Sequence, residues 1–184
     1  MTRAVLDILA ANDPLAAARA AAPAGGEPIV VRRGDAPATW LVDGDAEGSL
    51  ATHREAHAAG RPSEAVVAYG HGVTDEQIAE RLEGLAALAA ETGLLRAVCP
   101  VPRDGTDTRP GSWGVEDLTI IAACRTALPA DVAVRPSWRH LGPAACQIAV
   151  AFGATAWAVP ADDGHDLVHL AAAIGRTVVE EPPR

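Results

Sequence analysis

The side chains of this chain that could do chemistry follow three apolar runs, at residues 65–69, 94–100 and 132–135. If these runs are neighbouring parallel strands, their carboxyl ends meet at one edge of a sheet, where α/β folds bind ligands. We therefore expect a small-molecule pocket on this rim. The residues predicted to bind its ligand are Tyr69, His71, Arg103, Asp107, Ser137, Trp138 and His140.

Acid–base chemistry at this rim would use imidazole or carboxylate groups. His71 and His140 are the candidate general acid–base residues, Asp104 is a third candidate, and Arg103 or Arg139 could hold an anion. Two of these residues also have a structural interpretation. His71 could be a polar loop residue near a helix start, and Asp104 could be part of an exposed turn. Trp138 could form a pocket wall or pack in the core.

The cysteines and the remaining histidines give weaker indications. Cys99 lies at the end of the apolar run 94–100, beside the rim, and could be a nucleophile, but no basic partner stands at a fixed spacing, which favours a small buried thiol. His165 and His169 are four residues apart, as in a metal-binding pair on a helix. No third ligand accompanies them, so a solvated helix face is the preferred interpretation, and no metal site is predicted.

Alternating strands and helices are predicted to position this rim. The predicted strands are 28–33, 65–69, 94–100, 132–135 and 154–159, with further short strands at 39–42 and 177–179. The predicted helices are 2–10, 13–22, 50–59, 74–91, 115–128, 143–152 and 164–174. Thr74 with Gln77 forms a capping-box pattern, and Gly93 stands where a helix C-cap is expected. Such alternation is typical of βαβ units with a parallel sheet.

Composition narrows the function classes. The chain has 184 residues, 49% of them hydrophobic, which suffices for one domain with its own core. A net charge of −9 argues against binding nucleic acid. No apolar run is long enough to span a membrane, and Asp7 interrupts the N-terminal apolar segment, so no secretory signal is predicted. Three scattered cysteines fit reduced thiols, and we expect a cytoplasmic protein.

Several blocks in residues 52–160 together resemble a known enzyme family. They are the segment THREAHAAGR at 52–61, the triplet Tyr69-Gly70-His71, and Ser137-Trp138 followed by Gly142. In this order they resemble the C-terminal half of the radical SAM enzymes of the futalosine route to menaquinone, the dehypoxanthine futalosine cyclase and aminofutalosine synthase family. The related deazaflavin-cofactor synthases are similar in the same way.

The chain departs from this family at polar positions. The family's glutamate after the Tyr-Gly-His triplet is Val73 here, and its Asn-Asp pair is replaced by Thr155 and Ala156. The family holds a [4Fe–4S] cluster on a Cys-x3-Cys-x2-Cys loop, whereas the cysteines here are scattered singly along the chain. We therefore expect no cofactor, no iron–sulfur cluster and no radical chemistry.

The resemblance also implies a shortened fold. About half a barrel that the family places between its first strand and the segment near residue 52 has no counterpart here. The expected fold is an α/β protein with a partial, incomplete TIM-barrel-like parallel sheet of five or six strands and flanking helices. It would be a single domain over 1–184, with N-terminal helices and the first strand in 1–49 and a half-barrel in 50–184. The strands at 28–33 and 65–69 would be exposed edges, which predicts a homodimer or a heteromeric protein partner.

The resemblance favours two functions. The first is a radical-SAM-derived protein without a cluster, acting as a non-catalytic partner or small-molecule-binding regulator linked to menaquinone (futalosine pathway) metabolism. The alternative is a non-redox enzyme, a lyase, hydrolase or isomerase, acting on a nucleoside-like or aromatic polar metabolite.

Overall fold

Strands and helices alternate along the chain, and every strand pairing is parallel. The computed structural model describes residues 2–11, 13–21, 26–34, 49–103 and 114–181. The helices are α1 (Thr2–Leu9), α2 (Pro14–Ala21), α3 (Leu50–Ala58), α4 (Asp75–Thr92), α5 (Val115–Ala127), α6 (Trp138–Ala149) and α7 (Leu167–Ala172). The strands are β1 (Ile29–Arg33), β2 (Ser63–Gly70), β3 (Leu95–Arg103), β4 (Ala133–Val134), β5 (Ala156–Val159) and β6 (Val178–Glu180). The predicted strand at 39–42 lies outside the described residues.

The strands form two three-stranded parallel sheets, in the orders β2-β3-β4 and β5-β1-β6. An isolated parallel bridge between Ser137 and Ala158 joins them, next to a hydrogen bond of 3.1 Å from the Ala158 N–H to the Pro136 carbonyl. The α/β class with parallel strands and flanking helices is thus confirmed. The described strands do not close into a barrel, and the predicted partial TIM barrel is not confirmed.

One predicted edge strand is wrong. Strand β1, expected to be exposed, lies between β5 and β6 and pairs with both. The C-terminal strand β6 provides the second neighbour, in the register Val30 with Val179. Strand β2 does pair on one side only among the described strands, and the Arg81 guanidinium donates to its Val66 carbonyl from Nε at 3.4 Å and from Nη2 at 3.3 Å.

The helices cover the sheets in two apolar clusters. Helices α1, α2, α4 and α5 pack with β2, β3 and β4 around Leu82, Leu85 and Ile121, which are fully buried. Helices α6 and α7 pack on β5 and β1 around Trp157, whose Nε1 donates to the Cys146 carbonyl at 3.0 Å. These clusters hold the ends of the strands in place.

Local signals set most helix ends. Thr74 and Gln77 form the predicted capping box of α4, and Gly93 ends it with a φ of 62°. Helix α6 starts five residues before the predicted 143, at Trp138, because Gly142 takes a non-helical φ of 77° that lets two helical pieces meet before Pro143. Helix α7 starts at Leu167, after the Asp166 N-cap, rather than at the predicted 164.

A buried chain of hydrogen bonds attaches α3 to β2 and α4. The Thr92 hydroxyl donates to the Leu88 carbonyl at 2.8 Å, so it must accept from His57 Nδ1, also at 2.8 Å. The Nε2 atom of neutral His57 then accepts from the Ser63 hydroxyl at 2.8 Å, and the Ser63 oxygen accepts from His53 Nδ1 at 2.8 Å. Protonating His57 would leave the Ser63 hydroxyl proton without its acceptor.

The first prediction concerns pH. Burial lowers the pKa of His57 below its ordinary value of 6.5. The unfolded chain therefore binds the proton more readily, so the stability contributed by neutral His57 is present above pH 6.5 and is lost as the pH falls through the folded-state pKa. We expect His57→Gln to reduce the loss of unfolding free energy between about pH 7.5 and 5.5, measured by urea denaturation.

The matched control is His169→Gln, because His169 is exposed on α7. It should leave the pH dependence of unfolding as in the unmodified chain. An equal pH dependence in the His57 variant and the unmodified chain would contradict this role for His57.

Candidate functional site

The carboxyl ends of β2 and β3 lie side by side and border a cavity. Gly70 and Arg103 are partners in the register of the two strands. Gly70 and Gly72 have φ values of 87° and 75°, a turn that favours glycine and reverses the chain at His71. The cavity measures about 410 Å³ and is lined by Leu50, Val66, Ala68, Gly72, Val73, Gln77, Glu80, Arg81 and Arg103.

The cavity combines an apolar floor with charged groups. Val66 and Ala68 contribute side chains from alternate positions of β2, and Glu80, Arg81 and Arg103 contribute charged groups to the lining. Its volume is in the range of small-molecule sites, about 300–1,000 Å³. Such a lining suits a flat polar molecule that carries an acceptor or a negative charge.

The predicted rim residues occupy two different environments. Arg103 lines the cavity and is exposed, and His71 is half-buried in the turn next to Gly72. Ser137 and Trp138, after β4, are buried. His140 is exposed on α6. Asp104 and Asp107 lie outside the described residues, and the ligand-binding and catalytic roles of the whole set stay predictions.

Tyr69 lies on the helix side of the sheet. Its side chain belongs to the apolar cluster under α4 and α5, and its hydroxyl donates to Asp117 Oδ1 at 2.6 Å. Asp117 also accepts from the Gly114 N–H at 3.1 Å and so fixes the start of α5. The structure therefore gives Tyr69 a contact with the helix layer, on the strand face opposite to Val66 and Ala68.

Trp138 packs between two rings. Its ring centroid is 5.7 Å from that of Trp157 and 5.6 Å from that of His165, which it meets edge-on. His165 Nδ1 is also 2.9 Å from Asp163 Oδ1, in the turn before α7. Because His165 precedes α7, the prediction that His165 and His169 share one helix face is wrong.

The sequence interpretation missed a group of four charged side chains, of which Glu64 and Arg135 are buried and Arg32 and Glu181 are partly exposed. Glu64 of β2 accepts from Arg32 of β1 on one carboxylate oxygen and from Arg135 Nη1, at 3.1 Å, on the other. Arg135 Nη2 then donates to Glu181 Oε2 at 3.0 Å. A charged side chain inside an apolar strand needs a partner of opposite charge. Glu64 in the strand SEAVVAYG could therefore have indicated a buried ion pair from the sequence.

The cysteines do not fit a cluster held by three thiolates. Cys124, Cys146 and Cys99 each belong to a different apolar cluster, on α5, α6 and β3. Burial raises the pKa of Cys99 and of Cys124 to about 12, and it also raises the pKa of Cys146 above its ordinary value. These thiols are therefore protonated at neutral pH and are poor nucleophiles.

Two further properties concern the described part of the chain only. Within residues 2–11, 13–21, 26–34, 49–103 and 114–181, no three His, Cys, Asp or Glu side chains are grouped so as to hold a metal ion. Among the helices of these residues, none is both long and apolar enough to cross a membrane.

Comparison with known proteins gives two partial relatives, and no family model matches the chain. The chain is 32% identical over 118 residues to aminodeoxyfutalosine synthase of Thermus thermophilus, covering 60% of this chain and 32% of that protein. It is 32% identical over 114 residues to 5-amino-6-(D-ribitylamino)uracil–L-tyrosine 4-hydroxyphenyl transferase 1 of Methanosarcina barkeri, covering 54% and 30%.

The chain thus spans about a third of the length of the curated relatives that it matches. Both matches support a relationship to the radical SAM enzymes. Because the two relatives carry different names, they do not single out the menaquinone family.

The second prediction separates packing from binding at Tyr69. Tyr69→Phe removes the hydroxyl that donates to buried Asp117, so we expect a loss of about 1–3 kcal/mol in unfolding free energy. Urea denaturation measures it, and Tyr69→Phe combined with Asp117→Asn should cost less than the sum of the two single changes. Unchanged stability with weakened ligand binding would instead show that the hydroxyl serves a ligand.

Proposed function

We propose that this chain is a radical-SAM-derived, non-catalytic protein that binds a small polar metabolite in the cavity at the ends of β2 and β3. It would act as a partner or regulator linked to the futalosine route of menaquinone metabolism. The observation that carries the proposal is the cavity itself, which is lined by Arg103 together with the apolar Val66 and Ala68.

The names of the relatives suggest the ligand class. One makes aminodeoxyfutalosine, and the other acts on 5-amino-6-(D-ribitylamino)uracil and L-tyrosine, according to their names. These molecules combine a flat ring with polar substituents. Ring faces suit the apolar floor of the cavity, and acceptor oxygens suit the guanidinium groups of Arg103 and Arg81.

A non-catalytic role is supported by the surroundings of the reactive groups. The Tyr69 hydroxyl donates to Asp117 behind the sheet, and Glu64 is held between two arginines. The cysteine thiols are protonated, as their raised pKa values require. The described residues that line the cavity include no Ser, Cys or Lys nucleophile beside a base.

The alternative is a non-redox enzyme that uses His71 as general acid–base. It is favoured by one observation, that His71 is half-buried in the turn whose next residues, Gly72 and Val73, line the cavity. Incubation with each ligand, followed by mass spectrometry, distinguishes the two functions. A product that disappears with His71→Asn would establish the enzyme.

The third prediction tests the cavity by isothermal titration calorimetry with aminodeoxyfutalosine, 5-amino-6-(D-ribitylamino)uracil and L-tyrosine. We expect at least one to bind, and Arg103→Met to weaken it by roughly tenfold or more, since a hydrogen bond to a charged group contributes about 1.5–3 kcal/mol.

Arg96→Met is the matched control, because Arg96 is an exposed arginine near the start of the same strand. It should leave the affinity unchanged. If no member of the panel binds, or if both arginine variants weaken binding equally, the cavity is not the site.

Self-association through β6 is the proposed assembly, with a heteromeric partner as the alternative. Strand β6 pairs only with β1 among the described strands, and Val179 on it is 52% exposed. An edge of this kind is a template for pairing with a second strand. Two copies joined at this edge would form a closed pair.

The fourth prediction is therefore a mass of twice 18.8 kDa in light scattering after gel filtration. Val179→Lys should return the mass to that of one chain, since a charge on an edge opposes pairing. Ile148→Lys, at another exposed apolar residue, is the control and should leave the dimer intact. A single-chain mass for the unmodified protein at micromolar concentration would rule out the dimer.

A further inference from the structure

A second cavity lies at the amino ends of β1 and β5, and it shares no lining residue with the cavity at the ends of β2 and β3. It measures about 170 Å³, below the range of about 300–1,000 Å³ that is typical of sites for whole small molecules. Its polar lining residues are Glu27, Arg125, Thr155 and Arg176, and the others are apolar. A cavity of this size suits a group of a few heavy atoms.

Arg125 brings a half-buried guanidinium group to this cavity from the last turn of α5. Its Nη1 atom donates to the Val132 carbonyl at 2.9 Å, and its Nη2 atom donates to the carbonyls of Leu128 and Pro129. Three uncharged carbonyls therefore hold the guanidinium in place. Among the described residues, no carboxylate forms an ion pair with Arg125, and its Nε proton has no acceptor.

The positive charge of Arg125 is compensated only in part. Burial lowers the pKa of Arg125 below its ordinary value, although the carboxylates of Asp131 and Glu27 act in the opposite direction. An arginine side chain nevertheless keeps its charge at neutral pH. A bound anion would therefore stabilise a cation for which the protein supplies too little negative charge.

Two further donors line the same cavity. The Thr155 hydroxyl accepts from the Val134 N–H at 3.1 Å, so its own proton can be donated to another group. Arg176 precedes β6 and is half-buried, and its Nη1 atom donates to the Glu27 carbonyl at 3.2 Å. The Glu27 side chain is exposed and carries the one negative charge among the described lining residues. Two guanidinium groups and one hydroxyl thus border the cavity, against one carboxylate.

We propose that this cavity is a phosphate-binding site in which Arg125, Arg176 and Thr155 donate to the oxygens of inorganic phosphate or of a small phosphorylated metabolite. Guanidinium groups match phosphate oxygens in charge and geometry, and the hydroxyl adds a neutral donor. Three donor groups suit the terminal oxygens of a phosphoryl group better than the two oxygens of a carboxylate. The inference does not depend on the proposed function, because the two cavities have no lining residue in common.

Isothermal titration calorimetry of the full chain with inorganic phosphate and with glycerol 3-phosphate, at constant ionic strength, tests the site. We expect at least one of them to bind, and Arg176→Met to weaken its binding by about tenfold, since hydrogen bonds between charged groups are strong. Tighter binding of glycerol 3-phosphate would assign the site to a phosphorylated metabolite. Equal or tighter binding of inorganic phosphate would assign it to the free ion.

Two variants are the controls. Arg61→Met removes an exposed arginine that does not line the cavity, and it should leave the affinity unchanged. Thr155→Ser keeps the hydroxyl and should bind as the unmodified chain does. Absence of binding, or an equal loss in Arg176→Met and Arg61→Met, would overturn the site. Binding that is lost in Arg103→Met and kept in Arg176→Met would place the anion in the other cavity and would also overturn it.

Discussion

The described fold depends on one carboxylate, that of Glu64, which lies between two guanidinium groups. Arg32 belongs to the sheet β5-β1-β6, whereas Glu64 belongs to the sheet β2-β3-β4, so this contact joins the two sheets through side chains. The backbone adds an isolated bridge and neighbouring hydrogen bonds. Because removing one partner of a buried pair costs roughly 3–5 kcal/mol, the two sheets are expected to keep their relative position only while this group is complete.

This constraint separates two regions of the molecule. In the first region, Arg135 forms a buried ion pair with Glu64 between the strands. In the second region, the cavity at the ends of β2 and β3 has an apolar floor. Arg81 lines the cavity, and its guanidinium also donates a hydrogen bond to the Val66 carbonyl at the outer edge of β2. The outer edge of β2, which has no strand partner among the described residues, is therefore used partly for a pocket.

Local patterns in the sequence were sufficient to predict most helices and strands, but they were insufficient to predict the roles of side chains. The capping box at Thr74 and the apolar runs depend on neighbours in the sequence, and the structure contains the elements they predict. The pairing of β1 with β6 and the contact of Glu64 with Arg135 join residues far apart in the chain, and no local pattern encodes them. We predicted Tyr69 on the rim because the Tyr69-Gly70-His71 triplet resembles that of the family. Strand alternation already indicates that Tyr69 and Ala68 lie on opposite faces of the sheet.

The partial relatives support a relationship to the radical SAM enzymes, and from the buried thiols we propose that this chain holds no iron–sulfur cluster. Anaerobic reconstitution of the full chain with iron and sulfide, followed by iron analysis and absorption spectroscopy, tests it most directly. We expect no stoichiometric iron and no brown charge-transfer absorption, since the thiols of Cys99, Cys124 and Cys146 are buried and burial raises the pKa of each. One [4Fe–4S] cluster per chain that is lost when these cysteines are changed to serine would contradict the claim.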